Sequence, residues 1–278
     1  MAIELATQYL GYVDELFAAE SKRSLLTNQD FDWDGAHAVK IYRVSTAQMN
    51  DYGRSGASEG NWSRYGAVQS LDATTQSLAL TRDRSFTFAI DKLDADETKQ
   101  QLQAATALAR QLREVSIPEI DTYVYARMAD CAGHLPEAEA LTADTIYDAI
   151  TAGTEALDNA EAPDDGRQLL VTPATYRLMK KSPDIVMDTD VSDTQRKKGV
   201  IAMIDGLSVI RVPASRLPEH FGFMLAHPCA TVAPVKLEEY RIHEDPPGIS
   251  GSLVEGRIVY DAFVLENKKK AIYLHRIA

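Results

Sequence analysis

An α+β fold is predicted by one very long helix in a chain that is otherwise rich in strands. Residues 94–133 have apolar residues at helical spacing, and the segment ends at Gly133. Apolar residues alternate at 86–90, which predicts a strand, and further alternating runs follow residue 231. Residues 141–230 mix short helices and strands. These three features together predict an α+β protein organised around the helix.

The long helix would begin at Asp94 and Asp96, where an N-cap and a first-turn acid belong. Pro118 is predicted to kink the helix without ending it, because apolar spacing resumes at Ile120 and Tyr123. A helix of this length spans about 55–60 Å, whereas a compact globule of this size is only about 50 Å across. We therefore expect an elongated subunit that completes its burial against neighbours. The predicted buried stripe is Leu102, Ala105, Leu108, Ala109, Leu112 and Val115.

Before the helix, the sequence predicts an arm followed by a long hairpin. Residues 1–26 fit one or two short amphipathic helices, and the polar run 27–35 fits an extended arm. Strands at 38–44 and 86–90 would form the hairpin, separated by a polar excursion with several glycines. An isolated two-stranded hairpin is marginal in water. We therefore expect a neighbouring subunit to supply the surface on which this hairpin lies.

After the helix, short elements follow one another closely. The patterns predict a helix at 142–157, a strand at 168–171 and a helix that Thr172 and Pro173 open. Asp205-Gly206 would form the turn of a hairpin, and a strand follows at 221–226. The tail is predicted to contain strands at 231–242, broken near Pro234, and at 257–265 and 272–274.

Composition narrows the function classes. The 278 residues carry a formal net charge of −12, which argues against a protein that grips nucleic acid by its phosphates. No apolar run has the length of a membrane span, and no basic, apolar leader opens the chain. Cys131 and Cys229 are far apart and outside any C-x-x-C motif, so we expect reduced thiols.

Two motifs imitate functional sites. Asp30 to Gly35 fits the first half of a calcium loop, but Ile41 stands where the bidentate acid belongs. A solvated acidic arm is the favoured interpretation, and cation binding there stays open. Residues 56–60 match G-x-S-x-G without the strand and helix that a nucleophile elbow needs. The histidines lack metal-ligand spacing, and residues 188–193 fit a solvated acidic loop. We predict no catalytic residue, no cofactor and no metal.

Contact residues are predicted from the polar excursion and the strand that follows it. Arginines there are interleaved with Asp51, Glu59, Asp72 and Asp83, which suits ion pairing between subunits. Aromatic residues stand among them with no core of their own. The candidates for contact between subunits are Arg54, Trp62, Arg64, Tyr65, Arg82 and Arg84.

The order of these parts resembles the major capsid protein of tailed bacteriophages, which has the Hong Kong phage-type fold. Several stretches are similar to prophage capsid proteins of that family. They are VDELFAAESKRSLLTN, VKIYRVSTAQMNDYGRSG, RDRSFTFAIDK, ARQLREVSIPEIDTY, VTPATYRLMKK and GLSVIRVPASRLP. No single stretch is diagnostic, but their order over residues 13–277 is fairly specific.

The resemblance implies a division into five parts. Residues 1–35 would be the N-terminal arm and 36–92 the extended loop. The spine helix in 93–140 and the returning strands in 231–278 would make the peripheral domain. Residues 141–230 would make the axial domain. The implied function is to form pentamers and hexamers that close into an icosahedral shell around double-stranded DNA.

The implied partners are copies of the chain itself, a portal and a separate scaffolding protein, with room for a decoration protein. The arm-like sequence is reached early, so we expect no scaffold segment before it. DNA would be enclosed without sequence-specific binding, and no membrane is involved. Synthesis and assembly would take place in the cytoplasm of the host bacterium, and the final location would be the virion capsid.

Two other classes compete with this interpretation. An encapsulin-type nanocompartment resembles the same fold and encloses cargo enzymes, although residues 27–35 fit a phage arm better than a cargo-docking helix. A calcium-binding or hydrolytic enzyme would have to use the two imitating motifs. Calcium calorimetry and an esterase assay discriminate that class.

Overall fold

The computed structural model describes residues 20–28, 38–56, 62–93, 103–185 and 200–278. The described residues divide into two compact units. Residues 33–80 form one, here called the loop unit, and the remaining residues form the other, here called the body. The loop unit therefore ends at Leu80, whereas the sequence predicts an extended loop that continues to Lys92.

The loop unit is built on one pair of strands. β1 (Ala38–Val44) pairs antiparallel with β2 (Ala73–Ala79), with Val44 opposite Ala73. The predicted hairpin partner was wrong, because the strand around Phe86 pairs elsewhere. The segment ATTQSLA of β2 has almost no apolar alternation, so nothing in its sequence identifies it as a strand.

A three-stranded antiparallel sheet of the body contains the strand around Phe86. Its order is β3 (Arg82–Asp91), β10 (Gly251–Tyr260) and β9 (Val235–Glu244). Phe86 crosses directly over Gly256, where an added Cβ would clash with the ring. Only glycine allows this close approach. The alternation that predicts a strand at 86–90 is therefore correct, and it reflects the half-buried face of this sheet.

The long helix is continuous from residue 104 to 130 in the described part of the chain. α1 (Ala104–Gln111) leads into one π-helical segment (Leu112–Ser116) and then into α2 (Ile117–Asp130). Pro118 has no N–H for the carbonyl four residues earlier, and its ring crowds that carbonyl. The wider π turn accommodates both effects. The expectation that the helix continues past Pro118 is confirmed, while the predicted start at Asp94 and Asp96 lies outside the described residues.

The buried part of this helix is its second half. α2 buries Ile120, Asp121, Val124, Tyr125, Met128 and Ala129, whereas no residue of α1 or of the π segment is buried. Val115 is 47% exposed, and Ala105 and Ala109 are exposed. The predicted buried stripe was therefore wrong for Ala105, Ala109 and Val115, and Leu108 and Leu112 are only half-buried.

A five-stranded mixed sheet makes the second half of the body. Its order is β12 (Ile272–Arg276), β7 (Phe221–Ala226), β4 (Gln168–Val171), β6 (Leu207–Arg211) and β5 (Val200–Ile204). β4 and β6 run parallel, and the other neighbours are antiparallel. A short pair, β8 (Thr231–Val232) with β11 (Phe263–Val264), lies apart from it. The predicted break at Pro234 separates β8 from β9.

Hydrogen bonding places the last strand differently from the sequence grouping. β12 was grouped with the returning strands after residue 231, yet it pairs with β7 along the edge of the five-stranded sheet. Every residue of Ile272–His275 is buried. The alternation that identifies a strand does not identify which sheet the strand joins.

Two further helices flank this sheet. α3 (Ile146–Asn159) packs so closely that a Cβ on Gly153 would clash with Leu225. α4 (Pro173–Met179) is capped as predicted, because Thr172 Oγ1 accepts the N–H of Thr175 at 3.0 Å. Short 3₁₀ segments occur at Arg23–Leu25, Ala214–Arg216, Pro228–Ala230 and Glu266–Ala271.

Two connections of the five-stranded sheet are locally determined. The Asp205-Gly206 turn has the expected positive φ angles of 45° and 78°. Arg167 is 3% exposed and organises the connection from α3 to β4. Its guanidinium donates to Asp158 at 2.5 Å and to Asp164 at 2.6 Å. Across the described ranges, no helix is long and apolar enough to cross a membrane.

The burial difference along the long helix predicts unequal effects of the same substitution. Val124→Asp places a carboxylate at a position that is 1% exposed, so we expect a loss of several kcal/mol in unfolding free energy. Val115→Asp is the matched control, and its effect should stay within about 0.5 kcal/mol. Urea unfolding of the unassembled subunit, followed by circular dichroism, measures both. Equal destabilisation by the two variants would contradict this division of the helix.

Candidate assembly surfaces

The tip of the loop unit is closed by backbone and side-chain hydrogen bonds. At its base, the N–H of Ser45 donates to the carbonyl of Asp72 at 2.9 Å. Further out, the N–H of Gly53 donates to the carbonyl of Arg64 at 2.9 Å. Asn50 Nδ2 donates to the carbonyl of Tyr65 at 3.3 Å. Hydrogen bonds thus tie the two sides of the excursion together, and none of its described residues, 45–56 and 62–72, is buried.

Aromatic surface is exposed at this tip. Trp62 is 86% exposed and Tyr65 is 77% exposed. Tyr52 meets the Tyr65 ring edge-on, with 5.0 Å between ring centroids, and is itself 51% exposed. Large exposed apolar patches of this kind mark interaction surfaces. Met49 and Val68 are also exposed in this unit.

Four of the six predicted contact residues lie together on this tip. Arg54, Trp62, Arg64 and Tyr65 are all exposed in the described part of the loop unit. The structure thus brings them to one region, as their spacing suggests. That they contact another subunit stays a prediction.

The other two candidates are engaged within the body. Arg84 donates to Glu119 on α2, with Nε to Oε1 at 2.7 Å. Arg82 lies over the ring of Tyr123, with its guanidinium carbon 4.5 Å from the ring centroid. The pKa of Arg84 is raised, chiefly because its guanidinium donates a hydrogen bond to Glu119. These arginines fasten the start of β3 to the long helix.

Asp261 is the centre of this attachment. Its Oδ2 accepts the N–H and the hydroxyl of Thr81, both at 2.8 Å. Its Oδ1 accepts the Tyr123 hydroxyl at 2.7 Å and the N–H of Ala262 at 2.8 Å. Asp261 is 3% exposed, so these four donors replace the water that its carboxylate loses.

Burial raises the pKa of two tyrosines near this carboxylate. Burial raises the pKa of Tyr123, and its hydrogen bond to Asp261 acts in the same direction. The pKa of Tyr260 is raised to about 12, first by burial and then by the charge of Glu119. Both hydroxyls are therefore firm hydrogen-bond donors at neutral pH. The Tyr123 and Tyr260 rings meet edge to face, 5.7 Å apart.

A second buried carboxylate lies on the same helix. Asp121 is fully buried and accepts from Ser21 Oγ at 2.6 Å and from Arg216 Nη1 at 2.9 Å. Arg23 Nη1 lies 3.9 Å away. Burial raises the pKa of Asp121, while Ser21, Arg23 and Arg216 oppose that rise. One carboxylate thus joins the N-terminal segment, the long helix and the turn that precedes β7.

Sequence reasoning missed both carboxylates. Asp121 had a usable signal, because it interrupts the apolar stripe formed by Ile120, Val124 and Tyr125, and an acid on a buried face needs a partner. Asp261 had none, because it occurs between two strand-like runs where an exposed turn acid is equally expected. Its partners, Thr81 and Tyr123, are distant in the sequence.

Asp83, one of the acids that we expect to pair between subunits, also has an ion pair within its own chain. Asp83 pairs with Arg257 on the neighbouring strand, with Oδ2 to Nη2 at 2.6 Å and Oδ1 to Nε at 2.9 Å. The hydrogen bond from Arg257 lowers the pKa of Asp83. The expectation that Asp83 pairs between subunits stays a prediction, and its carboxylate already has a partner on the adjacent strand of its own chain.

Lys92, the first residue after β3, makes a similar contact. Its Nζ donates to Asp245 Oδ2 at 2.8 Å, and this hydrogen bond raises the pKa of Lys92. The amine is therefore held in its charged form at neutral pH. A lysine in this state is a poor nucleophile.

The motifs that imitate other functions gain no support. Asp30 to Gly35, residues 57–60 of the G-x-S-x-G match, and the acids at 188–193 lie outside the described residues. Within the described ranges, no group of three or more histidine, cysteine or acidic side chains could hold a metal ion.

Comparison with solved structures extends over almost the whole chain. A protein of Mycobacterium phage Che8 superposes with a TM-score of 0.73 at 18% identity, covering 99% of this chain and 96% of that one. The capsid structure of cyanophage P-SCSP1u gives 0.72 at 13% identity, with 99% and 93% covered. The mature capsid of bacteriophage PhiM1 gives 0.69 at 14% identity, with 100% and 92% covered. The chain has the capsid fold of tailed phages.

The capsid fold also occurs in a virus-like particle from Pyrococcus furiosus. That structure matches with a TM-score of 0.56 at 9% identity, and 92% of each chain is covered. The sequence itself is divergent: no protein-family model matches it, and no curated protein matches it significantly. The fold is therefore shared across wide sequence distance.

The Asp121 attachment predicts strong coupling between two substitutions. Asp121→Leu leaves Arg216 buried without its carboxylate, and Arg216→Met leaves Asp121 short of a donor. Each should cost about 3–5 kcal/mol of unfolding free energy. The double variant removes both charges, so it should cost clearly less than the sum. A double-mutant cycle by urea unfolding measures this. Additive losses would show that the pair does not act as a unit.

Proposed function

We propose that the protein is the major capsid protein of a tailed bacteriophage. Its copies assemble as pentamers and hexamers into an icosahedral shell that encloses double-stranded DNA. The observation that carries the proposal is the fold match to phage capsid subunits over nearly the full length of both chains. The role is structural, without catalysis.

Exposed surface on the loop unit supports assembly from many copies. An excursion with Trp62 at 86% exposure and Met49 at 97% exposure is unfavourable in an isolated subunit. Covering it with a neighbour removes that cost. Its arginines add polar contacts that are individually weak, about 0–1 kcal/mol each, and screened by salt. Many weak contacts per subunit suit a shell that must close without locking misplaced subunits into it.

The parts of the subunit have proposed roles. Residues 1–35 are the arm and 36–92 the extended loop, which contains the paired strands β1 and β2. Residues 93–140 and 231–278 form the peripheral domain, with β12 contributing to the sheet of the axial domain, 141–230. Proposed partners are a portal, a separate scaffolding protein and, in some particles, a decoration protein.

An acidic subunit is compatible with enclosing DNA. With a net charge of −12, the wall does not attract phosphates, so DNA is retained by confinement and not by sequence-specific binding. Assembly would take place in the host bacterial cytoplasm, and the mature location is the virion capsid.

A nanocompartment shell of the encapsulin type is the second candidate. The fold alone does not decide the contents of the shell, because a virus-like particle from Pyrococcus furiosus shares it, although the phage capsids superpose with higher TM-scores. The two candidates differ in contents: one encloses DNA and the other cargo enzymes.

Electron microscopy tests the proposal. The gene is expressed together with its genomic neighbours, and purified particles are imaged and their contents extracted. We expect closed icosahedral shells, with DNA present when packaging proteins are included. Particles filled with enzyme would favour the nanocompartment, and the absence of any closed particle would contradict both.

Trp62→Ala should separate assembly from folding. The side chain is 86% exposed, so the melting temperature of the unassembled subunit should change by less than about 2 °C. Assembly should weaken, because a large apolar anchor at the contact is lost. Light scattering measures assembly and calorimetry measures melting. Unchanged assembly would remove Trp62 from the contact.

Mature shells should contain no covalent links between subunits. A lysine-to-asparagine cross-link needs a lysine amine that loses its proton, and no lysine occurs between Lys40 and Lys92. Lys92 is held charged by Asp245. Arg54 and Arg64 cannot substitute, because guanidinium stays protonated.

Denaturing gel electrophoresis of boiled particles measures this directly. The expected result is a single band near 30.6 kDa. A ladder of pentamer- and hexamer-sized bands would contradict the argument and point to Lys40 or Lys92 as the nucleophile.

A further inference from the structure

We propose that neighbouring copies bind each other through a cation cluster on one copy and an acidic hollow on the next. The proposal rests on the proposed shell function, and it names the surfaces that join subunits within one ring. The cation cluster consists of Arg177, Lys180 and Arg211 around the ring of Tyr176. The acidic hollow surrounds the connection from α3 to β4.

The cation cluster gathers positive charge without a carboxylate. Lys180 Nζ and the guanidinium carbon of Arg211 each lie 5.5 Å from the centroid of the Tyr176 ring. The ring attracts both cations, but it carries no charge that could neutralise them. Arg177 on α4 adds a third exposed cation. No ion pair of these three cations occurs within the described part of the chain.

The acidic hollow carries the opposite charge. Its lining contains four carboxylates and one guanidinium, that of Arg167, so its net charge is −3. No basic residue occurs from 135 to 166, so α3 and its flanking segments supply no further cation. The charge of Asp205 is also the main cause of the raised pKa of Tyr147 on α3. The four exposed carboxylates are those of Asp158, Glu161, Asp164 and Asp205.

The two surfaces lie at opposite ends of the same strands. β4 and β6 run parallel, and the hollow lies where they begin, because Arg167 precedes β4 and Asp205 precedes β6. The cluster lies where they end, because Arg211 is the last residue of β6 and α4 follows β4. The first and last Cα atoms of the five-residue β6 are roughly 13 Å apart. An ion pair needs about 4 Å or less between its charged atoms.

This arrangement suits a head-to-tail contact between copies. When the cluster of each copy meets the hollow of the next, two different surfaces are joined, and such heterologous contacts generate rings if the rotation closes. Complementary charges favour this register, and they disfavour one in which hollow meets hollow or cluster meets cluster. A contact that repeats in this way can build both a pentamer and a hexamer.

Charge reversal tests the contact. The hollow variant adds four positive charges and changes the net charge of the hollow from −3 to +1, while Asp158 and Asp164 keep their bonds to Arg167. Asparagine tolerates the positive φ of residue 205. The substitutions of the hollow variant are Thr154→Lys, Glu161→Lys and Asp205→Asn. Those of the cluster variant are Arg177→Glu, Lys180→Glu and Arg211→Glu.

Two further variants complete the set. The matched control makes the same change in net charge as the cluster variant, at exposed lysines of the body that lie in neither surface. Its substitutions are Lys236→Glu, Lys268→Glu and Lys270→Glu. The combined variant carries the substitutions of the cluster and hollow variants in one chain. Circular dichroism and the melting temperature report folding, and light scattering reports the assembly rate.

The expected rates follow from the charges that meet. The cluster variant and the hollow variant should each assemble about ten-fold more slowly or worse, because like charges then face each other. The combined variant should return to within about three-fold of the unsubstituted protein, because opposite charges meet again. The control should stay within about two-fold. If the cluster variant does not fold, Arg177→Gln, Lys180→Gln and Arg211→Gln together replace it, and assembly should still be slower than in the control.

Co-expression of the cluster variant with the hollow variant is the sharper test. Every favourable contact then joins one variant to the other, so the two must alternate around a ring. Alternation closes in a hexamer and not in a pentamer. Native mass spectrometry should therefore show hexamers without pentamers, and electron microscopy should show no closed icosahedral shell. The combined variant alone should form both rings.

The proposal is overturned if the cluster variant assembles like the control, if the combined variant stays as slow as the cluster variant, or if the mixture forms pentamers as readily as hexamers. Unchanged shells that lose only their DNA would assign the cluster to nucleic acid and also overturn it. If the unsubstituted protein forms rings but no closed particles, the proposed function fails. Mass spectrometry of the mixed rings still decides the contact.

Discussion

The body depends on burying a carboxylate in the middle of its long helix. Asp121 has no solvent exposure, so its charge must be compensated by protein groups alone. Ser21 and Arg216 supply that compensation from distant parts of the chain. α2 can therefore take its native place only when the N-terminal segment and the turn before β7 are also in place. The same helix holds Asp261 through Tyr123, two residues further along.

Caps, turns and strand breaks could be predicted from the sequence, because each depends on a few consecutive residues. The Thr172 cap, the Asp205-Gly206 turn and the break at Pro234 each depend on a few consecutive residues, and the structure has all three. The sequence also predicts that Trp62 and Tyr65 lie together on the excursion, because only two residues separate them in the chain.

Strand pairing and side-chain contacts between segments far apart in the sequence could not be predicted in this way. β2 has a polar sequence and β1 specifies no particular return strand, so the stronger alternation at Phe86 predicts the wrong partner for β1. β12 has a clear strand pattern that fits either sheet equally well. The contacts of Arg84 with Glu119 and of Arg82 with Tyr123 could not be predicted either, because nothing in the sequence shows that these residues lie opposite one another. These choices are decided by tertiary contacts.

The π turn has a consequence for the winding of the helix. Each residue of an α-helix turns the next side chain by about 100°, so one extra residue in a turn rotates the first half of the helix by about that angle relative to the second half. At constant spacing, Val124 would lie about 100° away from Ala105 around the helix axis, and the extra residue removes that difference. The two halves of the long helix therefore present one continuous face. Within the subunit only the part of that face on α2 is buried.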